Sequence, residues 1–144
     1  MSGTFDTAVG LYFSLVIDTY DLGIFDSCEG LGLELQIEQR EDGGGGLVVH
    51  LLPGRFKYTN LRVTRPIGTD TSKTMAWIQA MVNGVSPSNA ELAALAPDGS
   101  VVFSWQLSGV LPARWTGPSF NAATPAPATE TLELAYTSIM LGQA

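Results

Sequence analysis

The sequence predicts a mainly β fold: a single-domain β-barrel or β-sandwich over residues 1–144 with one flanking α-helix at about residues 70–82. Residues 33–38 alternate strictly between apolar and polar side chains, which is the period of a strand. Runs rich in β-branched and aromatic residues recur along the chain between turn residues. Because the strands precede and follow a single helical segment, a barrel or sandwich is the expected architecture.

The first strands are predicted from short apolar runs that end at turn residues. Residues 1–9 form an N-terminal arm, and residues 11–17 form the first strand. A turn-like stretch over residues 18–23 follows, and residues 24–28 form the second strand.

A long hairpin is predicted over residues 33–52. Its first strand separates apolar from polar side chains: Leu33, Leu35 and Ile37 on one face, and Glu34, Gln36 and Glu38 on the other. Residues 41–46 are the predicted flexible tip, because a run of glycines has high chain entropy. Pro53-Gly54 is predicted to end the second strand, and residues 58–65 begin another.

The helix is predicted from Asp70 to Val82. Thr69, Asp70 or Thr71 supplies its N-cap, and Asn83-Gly84 supplies a left-handed stop. The predicted apolar stripe consists of Met75, Ile78 and Val82, widened by Trp77 and Met81.

Further strands are predicted after the helix, with a turn at Asp98-Gly99 and an extended Pro/Ala-rich segment over residues 121–128. The strands are residues 89–96, 101–107, 110–115 and 129–140.

The composition predicts self-association. Charged residues make up 15% of the chain, whereas about a quarter is usual for a soluble domain. With so few charges to cover its exterior, the protein is expected to bury part of its surface against another subunit. Seven basic residues against 14 acidic ones give a net charge of −7, which disfavours a nucleic-acid reader and leaves open an acidic lumen that repels nucleic acid.

The segments at the start of the chain predict a protein made in the cytoplasm. Residues 1–6 lack the cationic residue that precedes the apolar stretch of a secretory signal. Residues 11–17, the longest mainly apolar stretch near that end, are far shorter than the roughly 20 residues of a membrane span.

Catalytic, metal and cofactor sites are not predicted. His50 is the single histidine and lies among apolar strand residues, and Cys28 has no cationic neighbour in sequence. The acidic cluster of Asp18, Asp21, Asp26 and Glu29 lacks the alternating spacing of a calcium loop, although adventitious calcium binding stays open. Trp77, Trp105 and Trp115 fit core or interface packing better than a sugar-stacking platform.

Several segments carry a resemblance that extends over most of the chain. They include LGIFDSCEGL at residues 22–31, EQREDGG at 38–44, LPGRFKYTNL at 52–61, PARWTGP at 112–118 and ETLELAY at 130–136. In this order and spacing, they resemble the tail tube (inner tube) protein family of contractile phages and phage-tail-like contractile injection systems. The chain departs from that family at Thr59, Ala123 and Tyr136, where proline, a basic residue and histidine are frequent.

The resemblance implies a non-enzymatic structural subunit without cofactors. Six protomers are expected to form a ring around a lumen, and rings are expected to stack into a tube inside a contractile sheath. The expected partners are other copies of this chain, the sheath, baseplate and tail-terminator proteins, and cargo or DNA in the lumen. Assembly is expected in the bacterial cytoplasm, and the mature location in a virion tail or a phage-tail-like particle.

The resemblance also implies two sets of contact residues. The inter-ring candidates surround the hairpin tip: Glu38, Arg40, Glu41, Asp42, Gly43, Gly44, Gly45, Gly46, Leu47 and His50. The lumen candidates are polar strand residues: Glu34, Gln36, Glu38, Arg62 and Thr64.

Two alternatives stay open at this stage. The haemolysin-coregulated protein, the tube protein of type VI secretion, shares the expected fold. A carbohydrate-binding β-sandwich that uses the tryptophans belongs to a different functional class.

Overall fold

The computed structural model describes residues 10–41, 49–119, 122–123 and 128–142. Ten strands and one helix follow one another along these residues. They are β1 (Tyr12–Ile17), β2 (Tyr20–Phe25), β3 (Ser27–Glu29), β4 (Gly32–Glu41), β5 (Val49–Thr59), β6 (Leu61–Pro66), α1 (Thr71–Asn83), β7 (Ser88–Leu95), β8 (Val101–Thr116), β9 (Thr129–Ala135) and β10 (Ser138–Leu141).

The main sheet has eight strands in the order β2-β1-β7-β8-β9-β6-β3, with β10 also paired to β8. Every pairing in it is antiparallel. The hydrogen-bonded path is not closed, but its two ends are consecutive in the chain, because Asp26 alone separates β2 from β3. The sheet therefore curls around one core, as the sequence predicts for a barrel or sandwich.

The core is formed by the inward face of each strand together with the helix. Alternation is clearest in β6, where Leu61 and Val63 are buried, and in β9, where Leu132 and Leu134 are buried. Trp77 and Met81 of α1 join the same apolar cluster. The period-2 pattern of the sequence thus becomes the inside and the outside of the curved sheet.

The turn after β1 is shorter than predicted. Ile17 pairs with Tyr20, so the reversal uses only Asp18 and Thr19. Asp18 has a φ of 52°, and this left-handed backbone allows the chain to reverse within two residues. Residues 20–23 are therefore strand rather than turn.

The prediction that Pro53-Gly54 ends a strand is wrong. β5 continues through both residues to Thr59, and its register against β4 shifts between Leu35 and Ile37. A β-bulge accommodates the extra residue, and β5 is an edge strand, where proline leaves no ladder hydrogen bond unmade.

The predicted strands at residues 101–107 and 110–115 are one strand, β8. It bends at Gly109, which has a φ of 66°, and pairs with β10 before the bend and with β9 after it. The predicted final strand over residues 129–140 is likewise two strands, because β9 ends at Ala135 and β10 begins at Ser138. Each of them pairs with a different half of β8.

The helix is confirmed, but its buried face is rotated from the predicted stripe. Thr74, Trp77 and Met81 are buried, whereas Val82 is 71% exposed. Asp70 is the N-cap but makes no side-chain capping bond. Gly84 has a φ of 178°, so it ends the helix in extended rather than left-handed conformation.

Arg65 explains the rotation of the helix. Its guanidinium donates to the carbonyl of Asp70 at 2.7 Å and to Oγ1 of Thr74 at 2.6 Å, which holds that face of α1 against the sheet. The same group pairs with Glu130 at 2.9 Å and lies 4.1 Å from the ring centroid of Phe25. One buried cation therefore joins β2, β6, β9 and α1.

We expect Gly30→Ala to destabilise the protomer by about 2–3 kcal/mol. Gly30 has a φ of 87°, and an added Cβ would lie 2.1 Å from the carbonyl oxygen of Asn60. Gly99→Ala is the matched control, because Gly99 has a φ of 90° but no atom within 4 Å of its Cβ position. Chemical denaturation should show the larger loss for Gly30→Ala; equal losses would contradict the close approach.

Candidate functional site

Two surfaces of the molecule stand out as candidate functional sites. One is the outward face of β3, β6, β9 and the second half of β8. The other is the hairpin of β4 and β5, which pairs with no other strand among the described residues.

The first surface, here called the polar face, is built by cross-strand pairing. Arg62 pairs with Glu29 on one side and with Glu133 on the other, and Glu133 pairs with Arg114. These four residues form a charged row across the sheet. A neighbouring hydroxyl row has the same strand order: Ser27, Thr64, Thr131 and Thr116.

Ion pairs and hydrogen bonds fix the charged row. Arg62 Nη1 lies 3.3 Å from Glu29 Oε1, and its Nη2 lies 3.4 Å from Glu133 Oε1. Asn60 Nδ2 donates to Glu133 Oε2 at 2.8 Å. The Asn60 bond, with the help of Arg62 and Arg114, lowers the pKa of the Glu133 carboxyl. The Glu133 carboxylate therefore stays ionised at neutral pH.

The polar face is charge-balanced. Its two glutamates and two arginines cancel, whereas the whole chain has a net charge of −7. In the hydroxyl row, Oγ1 of Thr64 lies 3.1 Å from Oγ1 of Thr131. The face exposes no large apolar side chain at these positions, so it offers little to a passing macromolecule beyond weak polar contacts.

The hairpin, the second surface, has an apolar face and a charged face. Residues that face each other across β4 and β5 point to the same side. The apolar face comprises Leu33, Leu35, Ile37, Val49, Leu51, Pro53, Phe56 and Tyr58, and the polar Gln39 and Glu41 lie on the same side at its outer end, opposite Leu51 and Val49. The charged face comprises Glu34, Gln36, Glu38, Arg40, His50, Leu52 and Lys57.

The apolar face of the hairpin is uncovered. Ile37, Phe56 and Leu51 are 56%, 57% and 60% exposed. An isolated two-stranded hairpin is only marginally stable in water, and contiguous exposed apolar surface marks an interaction site. The apolar face of the hairpin is therefore a candidate docking surface.

The base of the hairpin is fixed to the main sheet. The hydroxyl of Tyr136 lies 3.2 Å from both the nitrogen and the carbonyl oxygen of Gly32, and its ring lies 5.6 Å from that of Tyr58. Thr59 Oγ1 donates to the carbonyls of Gly30 and Gly32. These contacts fix the base of the hairpin to the main sheet, whereas the rest of the hairpin pairs with no other strand among the described residues.

The predicted contact residues fall on these two surfaces. Arg62 and Thr64 lie together on the polar face, whereas Glu34, Gln36 and Glu38 lie on the charged face of the hairpin, in a different sheet. Arg40, Glu41 and His50 lie at its outer end. The remaining inter-ring candidates, residues 42–47, lie outside the described residues.

Sequence reasoning missed Glu133, Arg114, Thr131 and Thr116 as members of the polar face. Glu133 and Thr131 alternate with the buried Leu132 and Leu134, and this alternation is the sequence pattern that places them on the outward face of β9. The pairing of β9 with β6 and β8 was not available from sequence.

The residues considered for catalysis and for sugar stacking lie in different parts of the fold. His50 is exposed on the hairpin opposite Arg40. Trp77 is buried in the core, while Trp115 donates to Glu130 Oε1 at 3.0 Å. In residues 10–41, 49–119, 122–123 and 128–142, no group of three or more His, Cys, Asp or Glu side chains is arranged to hold a metal ion. The described part of the chain contains no helix with the length and apolar character of a membrane span.

We expect Cys28 to react slowly with alkylating agents. Burial, with a smaller contribution from Glu29, raises the pKa of its thiol from 9.0 to about 11. Because the thiolate is the nucleophile, alkylation by iodoacetamide at pH 8 should be on the order of a hundredfold slower than that of glutathione. Mass spectrometry over time checks this; alkylation at the rate of glutathione would contradict the burial of Cys28.

Comparison with known proteins identifies relatives of this architecture. The sequence matches the family described as T4-like virus tail tube protein gp19 over residues 9–140. No match was found among curated proteins.

Several solved structures have the same fold. A chain of the sheath–tube complex of the PVC extracellular contractile injection system has a TM-score of 0.80 at 19% identity, covering 99% of this chain and 95% of that chain. A chain from the tube-terminating cap of the anti-feeding prophage has a TM-score of 0.78 at 20% identity, covering 100% and 95%. Hcp1 from Flavobacterium johnsoniae has a TM-score of 0.53 at 14% identity, covering 91% and 94%.

Proposed function

Because the chain belongs to the family of the T4-like virus tail tube protein gp19, we propose that it is the repeating subunit of the inner tube of a contractile, phage-tail-like injection particle. It acts as a structural, non-enzymatic component that forms stacked hexameric rings around a lumen. The observation that carries this proposal is the polar, charge-balanced face of β3, β6, β9 and the second half of β8, which among the described residues ends in a free strand edge on each side.

The free edges support ring formation. Within the described residues, neither β3 nor residues 111–116 of β8 pairs with another strand on its outer side. Strands alternate in direction across the sheet, so β3 and β8 run in opposite directions. A rotated copy can therefore place its β3 antiparallel to this β8, and repetition of that contact closes a ring. Each free edge is then protected by the next subunit.

The polar face supports the assignment of the lumen wall. Arg62 and Thr64, with Glu133 and Thr131 beside them, line the lumen in this proposal. Balanced charges bind neither acidic DNA nor a charged protein strongly, so either cargo can pass without adhering. Glu34, Gln36 and Glu38 lie on the charged face of the hairpin, in a different sheet, so this proposal leaves them out of the lumen wall.

The hairpin supports the stacking of rings. In this proposal its apolar face docks on the neighbouring ring. Glu38, Arg40 and His50 flank that contact from the charged face, and Glu41 lies beside Val49 at the outer end of the apolar face. Residues 42–47 are further candidates for this contact. Tyr12 and Val101 flank Leu95 in one cross-strand row of the main sheet, are 45% and 50% exposed, and offer an apolar surface for this contact. Contacts between two different patches do not close on themselves, so they extend rings into a filament.

The partners follow from the assemblies in which the same fold occurs. Those structures are described as a sheath–tube complex, a baseplate and a sheath/tube terminator. We propose that this chain likewise contacts sheath, baseplate and terminator proteins, and that it assembles in the bacterial cytoplasm. The Hcp-type tube of type VI secretion is the weaker alternative, since the TM-score to Hcp1 is 0.53 against 0.80 for the PVC chain.

Negative-stain electron microscopy over a concentration series tests the proposed function. We expect rings at low concentration and hollow filaments at high concentration. A featureless monomer at every concentration would overturn the tube assignment. Quenching of tryptophan fluorescence by sugars, in that case, would support the carbohydrate-binding alternative.

A further inference from the structure

The charged row alternates in sign from one edge of its sheet to the other. In strand order it reads Glu29 on β3, Arg62 on β6, Glu133 on β9 and Arg114 on β8. The row therefore presents an acid at one free edge and a base at the other. The inner pairs are made within the protomer, as the ion pairs of Arg62 with Glu29 and Glu133 record.

The two edge residues have capacity for a further partner. The Glu29 side chain is 63% exposed, and a carboxylate accepts more than one hydrogen bond. Arg114 is exposed and acts on Glu133 through its charge, but no ion pair of Arg114 occurs among the described residues. A guanidinium with five donors is well suited to a second carboxylate.

We propose that Arg114 of each subunit pairs with Glu29 of the next subunit, so that the charged row continues as an unbroken ring of alternating charge. This inference rests on the proposed function, because it requires the ring. Arg114 and Glu29 then set the register of the seam, which is the contact between β8 of one subunit and β3 of the next. The antiparallel order of β3 and β8 allows the row to continue at the same level.

The hydroxyl row also continues across the seam in this register. When Arg114 faces Glu29 of the next subunit, Thr116 faces Ser27 of that subunit, since both pairs lie at the same spacing along their strands. A slip of two residues places Arg114 opposite Ser27 or Leu31 instead of Glu29. A slip of one places it opposite Cys28 or Gly30, which belong to the other face of the sheet. Charge complementarity at the seam therefore selects one register.

The first experiment uses two variants that repel themselves and attract each other. Arg114→Glu places an acid at both edges, and Glu29→Arg places a base at both edges. Each variant alone should need an about tenfold higher concentration to form rings, because an attraction becomes a repulsion at every seam. An equimolar mixture should recover the wild-type concentration dependence, since alternating subunits restore every pair.

Matched controls carry the same changes in charge elsewhere. Lys73→Glu on α1 and Glu91→Arg on β7 should leave ring formation unchanged, and mixing them should have no effect. Thermal unfolding of each dilute protomer separates a folding defect from a seam defect. If the control variants also lost ring formation and regained it on mixing, the effect of charge would be nonspecific and the proposal would be overturned.

A second experiment tests the seam without relying on charge. Glu29 and Arg114 lie three strands apart in one protomer, about 14 Å at the usual strand spacing, which is too far for a disulfide. The variant Glu29→Cys/Arg114→Cys in a Cys28→Ala background should therefore form covalent oligomers between subunits on oxidation. Glu29→Cys/Thr116→Cys is the off-register control and should crosslink far less.

The outcomes separate this inference from the proposed function. If wild-type protein forms no rings, the proposed function fails and the seam fails with it. If wild-type rings form but the mixture does not recover and Arg114→Cys does not crosslink with Glu29→Cys, the seam assignment alone is wrong. Preferential crosslinking through Thr116→Cys would likewise overturn the register.

Discussion

Replacing Arg65 by alanine should lower the free energy of unfolding of the protomer by about 3–5 kcal/mol, the largest effect on stability that we expect. Arg65 is 4% exposed and Glu130 is fully buried. Removing the guanidinium leaves the Glu130 carboxylate uncompensated in the core. It also removes the donors to Thr74 and to the carbonyls of Leu22 and Asp70.

The physical reason is the asymmetry of buried ion pairs. A complete pair contributes little beyond an apolar pair of the same volume, whereas a broken pair leaves a desolvated charge. Arg65→Met combined with Glu130→Leu should therefore recover the part of the loss that comes from the uncompensated charge. The remaining loss reflects the carbonyls of Leu22 and Asp70 and the indole N–H of Trp115, which the double variant leaves without their partners. Arg62→Ala, on the exposed polar face, should leave the free energy close to that of wild type.

Urea denaturation below the concentration of assembly provides the measurement, because association would otherwise add to the apparent stability. A loss for Arg65→Ala no larger than that for Arg62→Ala would show that the pair with Glu130 is not essential to the fold. A double variant less stable than both single variants would contradict the stated cause.

Leu51→Asp should prevent tube formation while leaving the protomer folded. Leu51 lies on the apolar face of the hairpin and is 60% exposed, so the free protomer tolerates a charge there. In the stacked tube that we propose, the same position becomes a dehydrated contact, where an unpaired carboxylate is strongly unfavourable. We expect the concentration required for filaments to rise roughly thirtyfold or more.

Leu52→Asp is a closely matched control. It makes the same chemical change one residue away, but Leu52 lies on the charged face of the hairpin opposite Glu38. Electron microscopy should show filaments for Leu52→Asp and isolated rings or monomers for Leu51→Asp, with similar circular dichroism for both. Equal loss of filaments in the two variants would show that the two faces do not differ in function.

Local pattern was sufficient to predict the elements, but less so their ends. Alternation over residues 33–38 predicted a strand that the structure confirms as part of β4. Turn residues were less reliable guides, because Pro53 and Gly54 lie within β5 and Gly109 bends β8 without ending it. In each case tertiary pairing held the strand together where the local sequence favoured a break.

The two-residue alternation of β6 indicates that Arg65 is buried, although sequence reasoning did not predict this. Arg65 falls in phase with Leu61 and Val63, and Glu130 falls in phase with Leu132 and Leu134. A charged residue on the apolar face of two strands signals a buried ion pair. That signal becomes specific only when β6 and β9 are known to be neighbours.

Local patterns and composition are enough to predict the mainly β class, the helix and the acidic balance, because alternation, helical period and composition are local or summed properties of the chain. The tertiary structure decided which polar residues share a surface. Glu29 and Arg114 join one charged row only through the strand order β3-β6-β9-β8. The rotation of α1 and the isolation of the hairpin were decided in the same way, since both depend on contacts between segments far apart in sequence.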